Sequence, residues 1–294
     1  MKKKTLLILT AFLLVLSTFL SACSGGNKAN NKGGSDDGKT ATGPVDGGTM
    51  VFAMNSQFEG ILDPTFYGEA ADADIMSFSH EALIDYDENL KPKPYLADWK
   101  TDDNKVYHFT LKQGVKWHDG NELVVDDWIF AIETIAKVGK EHQRWANVAN
   151  IEGIDEFSAG KADSISGIKK INDYEVEITF KQSAVNNLEN LWVYPMSRSH
   201  FAGVDPKDME SSEQVRNGSV GTGPFKIVKV LPGESVELEA FDDYWQGKPH
   251  IDKVIVKVID TSLIVGELKN GNIDMTQFPA SSRDEVEALN NIKV

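Results

Sequence analysis

The chain contains one cysteine, Cys23, directly behind an apolar run. A single thiol forms no intrachain disulfide and builds no cysteine zinc site. Whatever folds here must therefore be held together by buried apolar surface. The 294 residues, 41% of them hydrophobic, provide enough for that and suggest about two domains. Ahead of the cysteine, Lys2, Lys3 and Lys4 precede residues 6–20, which are almost wholly apolar. About 15 apolar residues are too few to cross a ~30 Å hydrocarbon core comfortably, and they have the length and flanks of a secretory signal.

Leu20-Ser21-Ala22-Cys23 resembles the lipobox of bacterial lipoproteins. That resemblance implies cleavage of a signal peptide, residues 1–22, a diacylglycerol on the Cys23 sulfur and, in some lineages, acylation (palmitate, for example) of the new terminus. The alternative is a plain signal or short anchor with an incidental cysteine. Each lipid chain contributes about 0.8 kcal/mol per buried CH₂, so two or three hold a soluble body at a bilayer. The expected location is the extracytoplasmic face of the cell membrane. Residues 23–48 read as the lipidated cysteine and a flexible tether of Gly, Ser, Asn, Lys and Asp without apolar period. The net charge is −15. Cleavage would leave 27 cations against 45 acids, or −18. Such a chain repels phosphate backbones, and nucleic acid is set aside as a partner.

The body alternates strand and helix patterns. Thr49 to Met54 reads as a buried strand. Ile75, Phe78, Ala82 and Leu83 mark one helix face. Tyr107, Phe109 and Leu111 alternate, as do Tyr174, Val176, Ile178 and Phe180. Asp126 or Asp127 is expected to cap a helix with Trp128, Ile129, Ile132 and Ile135 inward. Apolar runs on both sides of Pro232-Gly233 predict a hairpin. Val254, Val256 and Val258 predict a strand, and a helix from Leu263 should stop at Gly271. The class is mixed α/β, without strict βαβ repetition.

Candidate chemistry is sparse. The histidines, His80, His108, His118, His142, His200 and His250, are dispersed and form no local metal motif. His118-Asp119 lies in a Trp-His-Asp-Gly turn, where Asp119 is expected to bond nearby backbone. Gly221-Thr222-Gly223-Pro224-Phe225 begins like a phosphate loop, but Pro224 removes a donor where an anion would need one. Asp102-Asp103, Asp126-Asp127 and Asp242-Asp243 are carboxylate pairs of the kind an acidic chain carries in its solvated surface. No nucleophile elbow exists. An enzyme is not expected, nor is a cofactor.

Several segments, in order, resemble the bacterial extracellular solute-binding proteins of family 5, the peptide-binding lipoproteins of ABC importers. They are Leu62-Asp63-Pro64, Glu81-Ala82-Leu83-Ile84 with Pro94, Leu96-Ala97 and Trp99, and the strand from Tyr107 followed by Gly114-Val115-Lys116-Trp117-His118-Asp119-Gly120. Gly221-Thr222-Gly223-Pro224-Phe225, Tyr244-Trp245-Gln246-Gly247-Lys248-Pro249 with Ile251-Asp252, and Gly271-Asn272-Ile273-Asp274 complete the series. Val124 and Val125 depart from the Thr-Ala often found there.

The resemblance implies a periplasmic-binding-protein-like class II (cluster C) α/β fold. Lobe I would take residues 49–82 and 197–280, lobe II residues 83–196, and lobe III would begin at 281–294. It implies a monomer that takes short peptides as an added strand and passes them to an ABC permease and its ATPase subunits. Carried over position by position, ligand contacts fall on Gly68, Glu69 and Ala70, on the loop from His142 to Trp145, and on Gln277 and Phe278. Family members are much longer. The expectation is therefore a chain truncated before most of lobe III (a fragment, a shortened product or half of a split pair) that binds peptide at least tenfold worse than a complete homologue. A nickel- or chelate-binding member, a surface adhesion or signalling lipoprotein, and more distantly a hydrolase are the competing readings.

Overall fold

In the strand Thr49–Met54 (β1), side chains alternate between two faces, so Phe52 and Met54 enter one apolar cluster and Ala53 another. The computed structural model describes residues 45–289 and 292–294; Cys23 and the signal peptide lie outside them. The other strands are β2 (Ile84–Tyr86), β3 (Pro92–Pro94), β4 (Ala97–Lys100), β5 (Val106–Leu111), β6 (Ile168–Asn172), β7 (Glu175–Thr179), β8 (Phe225–Leu231), β9 (Ser235–Ala240), β10 (Lys253–Val258) and β11 (Met275–Thr276). They form a five-stranded sheet of order β11-β1-β10-β9-β8, a β2-β3 ribbon, and a four-stranded sheet of order β4-β5-β7-β6.

In the five-stranded sheet β1 runs parallel to both β10 and β11, while β10-β9-β8 is antiparallel. The register sets Phe52 beside Val256, and Val256 beside Val236, so one face is continuous apolar surface. The helix Ala70–Met76 packs there through Ala71, Ile75 and Met76. The opposite face carries Ala53 with Ile264, Leu268, Ile273 and Val286. As expected, the Pro232-Gly233 turn joins a hairpin, and the helix Ile264–Asn270 ends at Gly271, which takes the left-handed conformation at φ 69°. Residues of the segment read as tether contact this sheet's end: Gly47 N–H donates to His250 O (2.7 Å) and Gly48 N–H to Asp252 Oδ2 (3.2 Å).

The four-stranded sheet is covered by the long helix Val125–Val138, with the Phe109 and Trp128 rings edge to face at 4.9 Å. The buried apolar residues of that helix are Val125, Trp128, Ala131, Ile132, Ile135 and Ala136; Ile129, expected inward, is only half-buried. The expected cap also differs. The helix starts after Val124, and Asp127 reaches back to accept the Val124 N–H at 3.1 Å, so the acid serves from inside the first turn.

A second expectation is corrected between residues 75 and 83. The helix stops at Met76, and Phe78, Ala82 and Leu83 follow in a turn and loop rather than on its face. Ser79 N–H and His80 N–H fold back onto Met76 O, and Ser77 Oγ donates to Asp74 O. The chain turns here because Ser79 O is bonded by Gly223 N–H from 144 positions further on, at 3.0 Å.

Candidate ligand-binding site

Several of the recurring motifs meet in a buried polar joint between the two larger sheets. Gly221 and Gly223 press against Ser79; a Cβ on Gly221 would lie 1.8 Å from Ser79 O, and one on Gly223 2.7 Å from Ser79 C. The two glycines permit close backbone approach. His118 N–H donates to Gly221 O (2.9 Å), and its Nδ1 accepts the Gly221 N–H (3.2 Å). That puts the neutral ring's proton on Nε2, which bonds Gly223 O at 3.0 Å. His80 bridges Ser79 Oγ and Ser219 Oγ at 2.8 and 2.9 Å. Burial pushes both imidazoles down, His80 to about 3 and His118 to about 4. Asp119 Oδ1 accepts the Asn121 N–H, the turn chemistry expected of it.

Glu81, only 8% exposed, closes the joint. Its Oε1 accepts the Tyr95 and Tyr244 hydroxyls (2.7 and 2.6 Å), and its Oε2 accepts the Trp245 indole N–H (2.9 Å) and Thr222 Oγ1 (3.2 Å). Burial, with this carboxylate beside it, pushes the Tyr95 hydroxyl up to about 12 and Tyr244 also upward. Each of these groups is spent on another; the joint holds the sheets together and offers no reactive centre.

The same joint positions an exposed wall. After Leu62-Asp63-Pro64 the chain makes one turn, with the Phe66 and Tyr67 N–H groups on Asp63 O (each 3.1 Å), and then presents Gly68, Glu69 and Ala70 to solvent. Glu69 is extended, at φ −96° and ψ 139°. Among the described residues neither the N–H nor the C=O of Gly68 has a hydrogen-bond partner, and neither does the Glu69 N–H.

The loop from His142 to Trp145 lies alongside. Gln143 Nε2 donates to Phe66 O, and Arg144 Nη2 to Tyr67 O at 3.3 Å. His142 packs against Phe66 with ring centroids 5.6 Å apart and planes tilted by 55°. Its Nδ1 accepts the Arg144 N–H at 2.9 Å, and burial, then the Arg144 charge, lowers it to about 4. Gly68 and His142 share a cleft of about 280 Å³ with Glu59, Gln143, Lys207 and Glu210. Trp145 opens the short helix Trp145–Val148 and is half-buried against the large core.

Of the expected contact residues, Gly68 and His142 thus line one cleft, with Glu69, Ala70 and Trp145 close to them in the chain. Gln277 and Phe278 do not: Gln277 is exposed past β11, and Phe278 packs in the cluster on the opposite face of the five-stranded sheet. The sequence reading missed Tyr67 and Trp192, and it took in Arg144 only as part of the loop from His142 to Trp145. The Arg144 guanidinium carbon stands 4.5 Å from the Tyr67 ring centre and 5.8 Å from that of Trp192. Leu191 and Val193 are buried while Trp192 is 44% exposed. An outward tryptophan in an alternating run was the available signal.

Trp192 and Tyr194 continue into a hollow of about 420 Å³ with Tyr86, Tyr95 and Asp85. A larger groove, about 810 Å³, runs along the long helix by Asp126, Phe130, Lys137 and Arg198 and shares none of these wall residues. Among the described residues no three His, Cys, Asp or Glu side chains gather as metal ligands, and no helix is long and apolar enough to cross a membrane.

The sequence model of the bacterial extracellular solute-binding proteins, family 5 (middle region), matches residues 90–294. The oligopeptide-binding protein AppA of Bacillus subtilis is 32% identical over 302 aligned positions, taking in 100% of this chain and 51% of AppA. Its structure in complex with a nonapeptide superposes with a TM-score of 0.71 at 29% identity, over 85% of this chain and 48% of that one. Lactococcal OppA, closed on an endogenous peptide, gives 0.75 at 27% identity, over 84% and 48%. NikZ of Campylobacter jejuni, in complex with Ni(L-His), gives 0.69 at 28%, over 83% and 46%. The chain spans about half the length of the curated relatives it matches.

Proposed function

This chain belongs to the bacterial extracellular solute-binding proteins of family 5, and on that footing we propose that it is the receptor part of an ABC import system. It captures short peptides outside the cell and delivers them to a membrane permease with its ATPase subunits. The observation that carries this reading is the open backbone at Gly68 and the extended Glu69, held beside the loop from His142 to Trp145. A peptide laid along it gains main-chain hydrogen bonds that read no side chain, and the adjacent clefts take side chains loosely. Gly68, Glu69, Ala70, His142 and Trp145 form this contact wall; Gln277 and Phe278, also expected as contacts, lie apart from it. Lobe I comprises residues 49–82 and 197–280, and lobe II residues 83–196.

Peptide is favoured over a nickel chelate by the free strand-pairing groups, and by relatives whose structures hold peptides. The protein binds and releases without turnover. It is exported and moored by lipid at Cys23, with the acidic body on a short leash.

Calorimetric titration with millimolar tri- to pentapeptides tests the receptor role. Heat of binding with the peptides recovered intact supports it; silence with every peptide, or recovered cleavage products, overturns it. Cys23→Ala tests the mooring: the variant should appear in the medium, and persistence on washed membranes contradicts the lipid anchor.

A further inference from the structure

Arg144 stands out on this wall. It is a cation in a chain of net charge −15. Lys116, Lys170, Lys181 and Lys253 each have a carboxylate partner, whereas among the described residues Arg144, like Lys112 and Arg216, has no Asp or Glu oxygen within 4.0 Å of its charged group. One of its five N–H groups is directed to Tyr67 O. Its plane rests against the Tyr67 ring and beside Trp192. Aromatic flanks of this kind fix a guanidinium and strip part of its hydration without neutralising it.

The flank is itself anchored. Leu191 and Val193 are buried, and Val193 O accepts the Trp128 indole N–H at 3.0 Å, so the main chain that carries Trp192 is pinned to the long helix. The backbone carbonyl that Arg144 grips belongs to the residue before Gly68, whose own backbone groups are open.

We propose that Arg144, with Tyr67 and Trp192, is a carboxylate-receiving subsite that gives the peptide wall a preference for acidic ligands. The inference rests on the peptide-receptor reading above. The guanidinium fork matches a carboxylate in a bidentate geometry that a lysine does not reproduce. The carboxylate comes from an Asp or Glu side chain or from the peptide's own terminus, and both present the same two oxygens.

Three pentapeptides separate the sources: Ala-Ala-Glu-Ala-Ala amide, Ala-Ala-Gln-Ala-Ala amide, and the latter as free acid. Each is titrated calorimetrically into this chain and into Arg144→Gln. One or both carboxylate peptides should bind the unaltered chain on the order of tenfold more tightly than the carboxylate-free amide. Arg144→Gln should erase that preference, bringing the carboxylate peptides to within about twofold of the carboxylate-free amide. Preference for the glutamate peptide assigns a side-chain carboxylate, and preference for the free acid assigns the terminus. Equal affinity of the unaltered chain for all three overturns the subsite and leaves the receptor reading standing. Equal weakening of all three in Arg144→Gln also overturns it, because that is the mark of a structural contact. Binding of none of the three removes the receptor reading and the subsite together.

Discussion

A glycine and a histidine define the behaviour of the joint at the scale of single residues. Gly221→Ala would drive a Cβ into Ser79 O, a backbone atom that the bond from Gly223 holds in place. Gly266, inside the helix Ile264–Asn270, has nothing within 4 Å of its added Cβ. Urea unfolding should show Gly221→Ala losing about 3 kcal/mol and Gly266→Ala gaining about 0.5–1 kcal/mol; equal effects would contradict the close-approach account. His80 gives the joint a pH dependence. Buried and neutral, it titrates near 3 when folded, against 6.5 when unfolded. Between those values the unfolded chain binds a proton that the native chain lacks, so stability falls as pH is lowered below 6.5. Burial pushes the Asp63 and Asp127 carboxyls up, which opposes the trend above pH 3.8. From pH 7 to 5, His80 should account for about 2 kcal/mol of lost stability, and His80→Gln should flatten the slope by that amount. An unaltered slope would place His80 in solvent.

At the scale of elements, the long helix Val125–Val138 depends on one acid. Asp127 accepts the Trp117 indole N–H, the Val124 N–H and the Arg198 N–H, each at 3.1 Å. Asp127→Ala leaves three donors without a partner and should cost about 3 kcal/mol or more. Its neighbour Asp126 pairs only with Lys170 and Arg198 at the surface, and Asp126→Ala should cost less than about 1 kcal/mol. Thermal or urea melts of the two variants check the contrast. The sequence could not choose between these acids, because the distinction lies in Trp117 and Arg198, which reach Asp127 from elsewhere in the fold. Strands such as β5, β7 and β10 were legible because burial on one face writes a period of two directly into the residues. The helix expected through Ile75 and Leu83 was misread for a related reason. Its apolar spacing is helical, but the last part of the run is buried by the loop that meets Gly223, a contact no local pattern records. The setting of Arg144, inside the expected loop, was hidden in the same way, since Tyr67 lies 77 positions before it and Trp192 48 after it.

At the scale of the molecule, the recurring motifs serve the frame more than the ligand. Glu81, His118, Thr222, Tyr244 and Trp245 tie the two larger sheets together, and the wall at Gly68 and His142 projects from that frame. Such a division suits a receptor that takes many peptides, because a rigid frame holds a few backbone groups open while the side-chain clefts remain roomy. The central claim is that ligand main chain pairs with this wall. Hydrogen exchange read by mass spectrometry, with and without a millimolar alanine-rich pentapeptide, tests it most directly. The account predicts slowed exchange in the segments that contain Gly68, Glu69 and the loop from His142 to Trp145. Calorimetric binding without protection there, or protection confined to the groove along Val125–Val138, would contradict it.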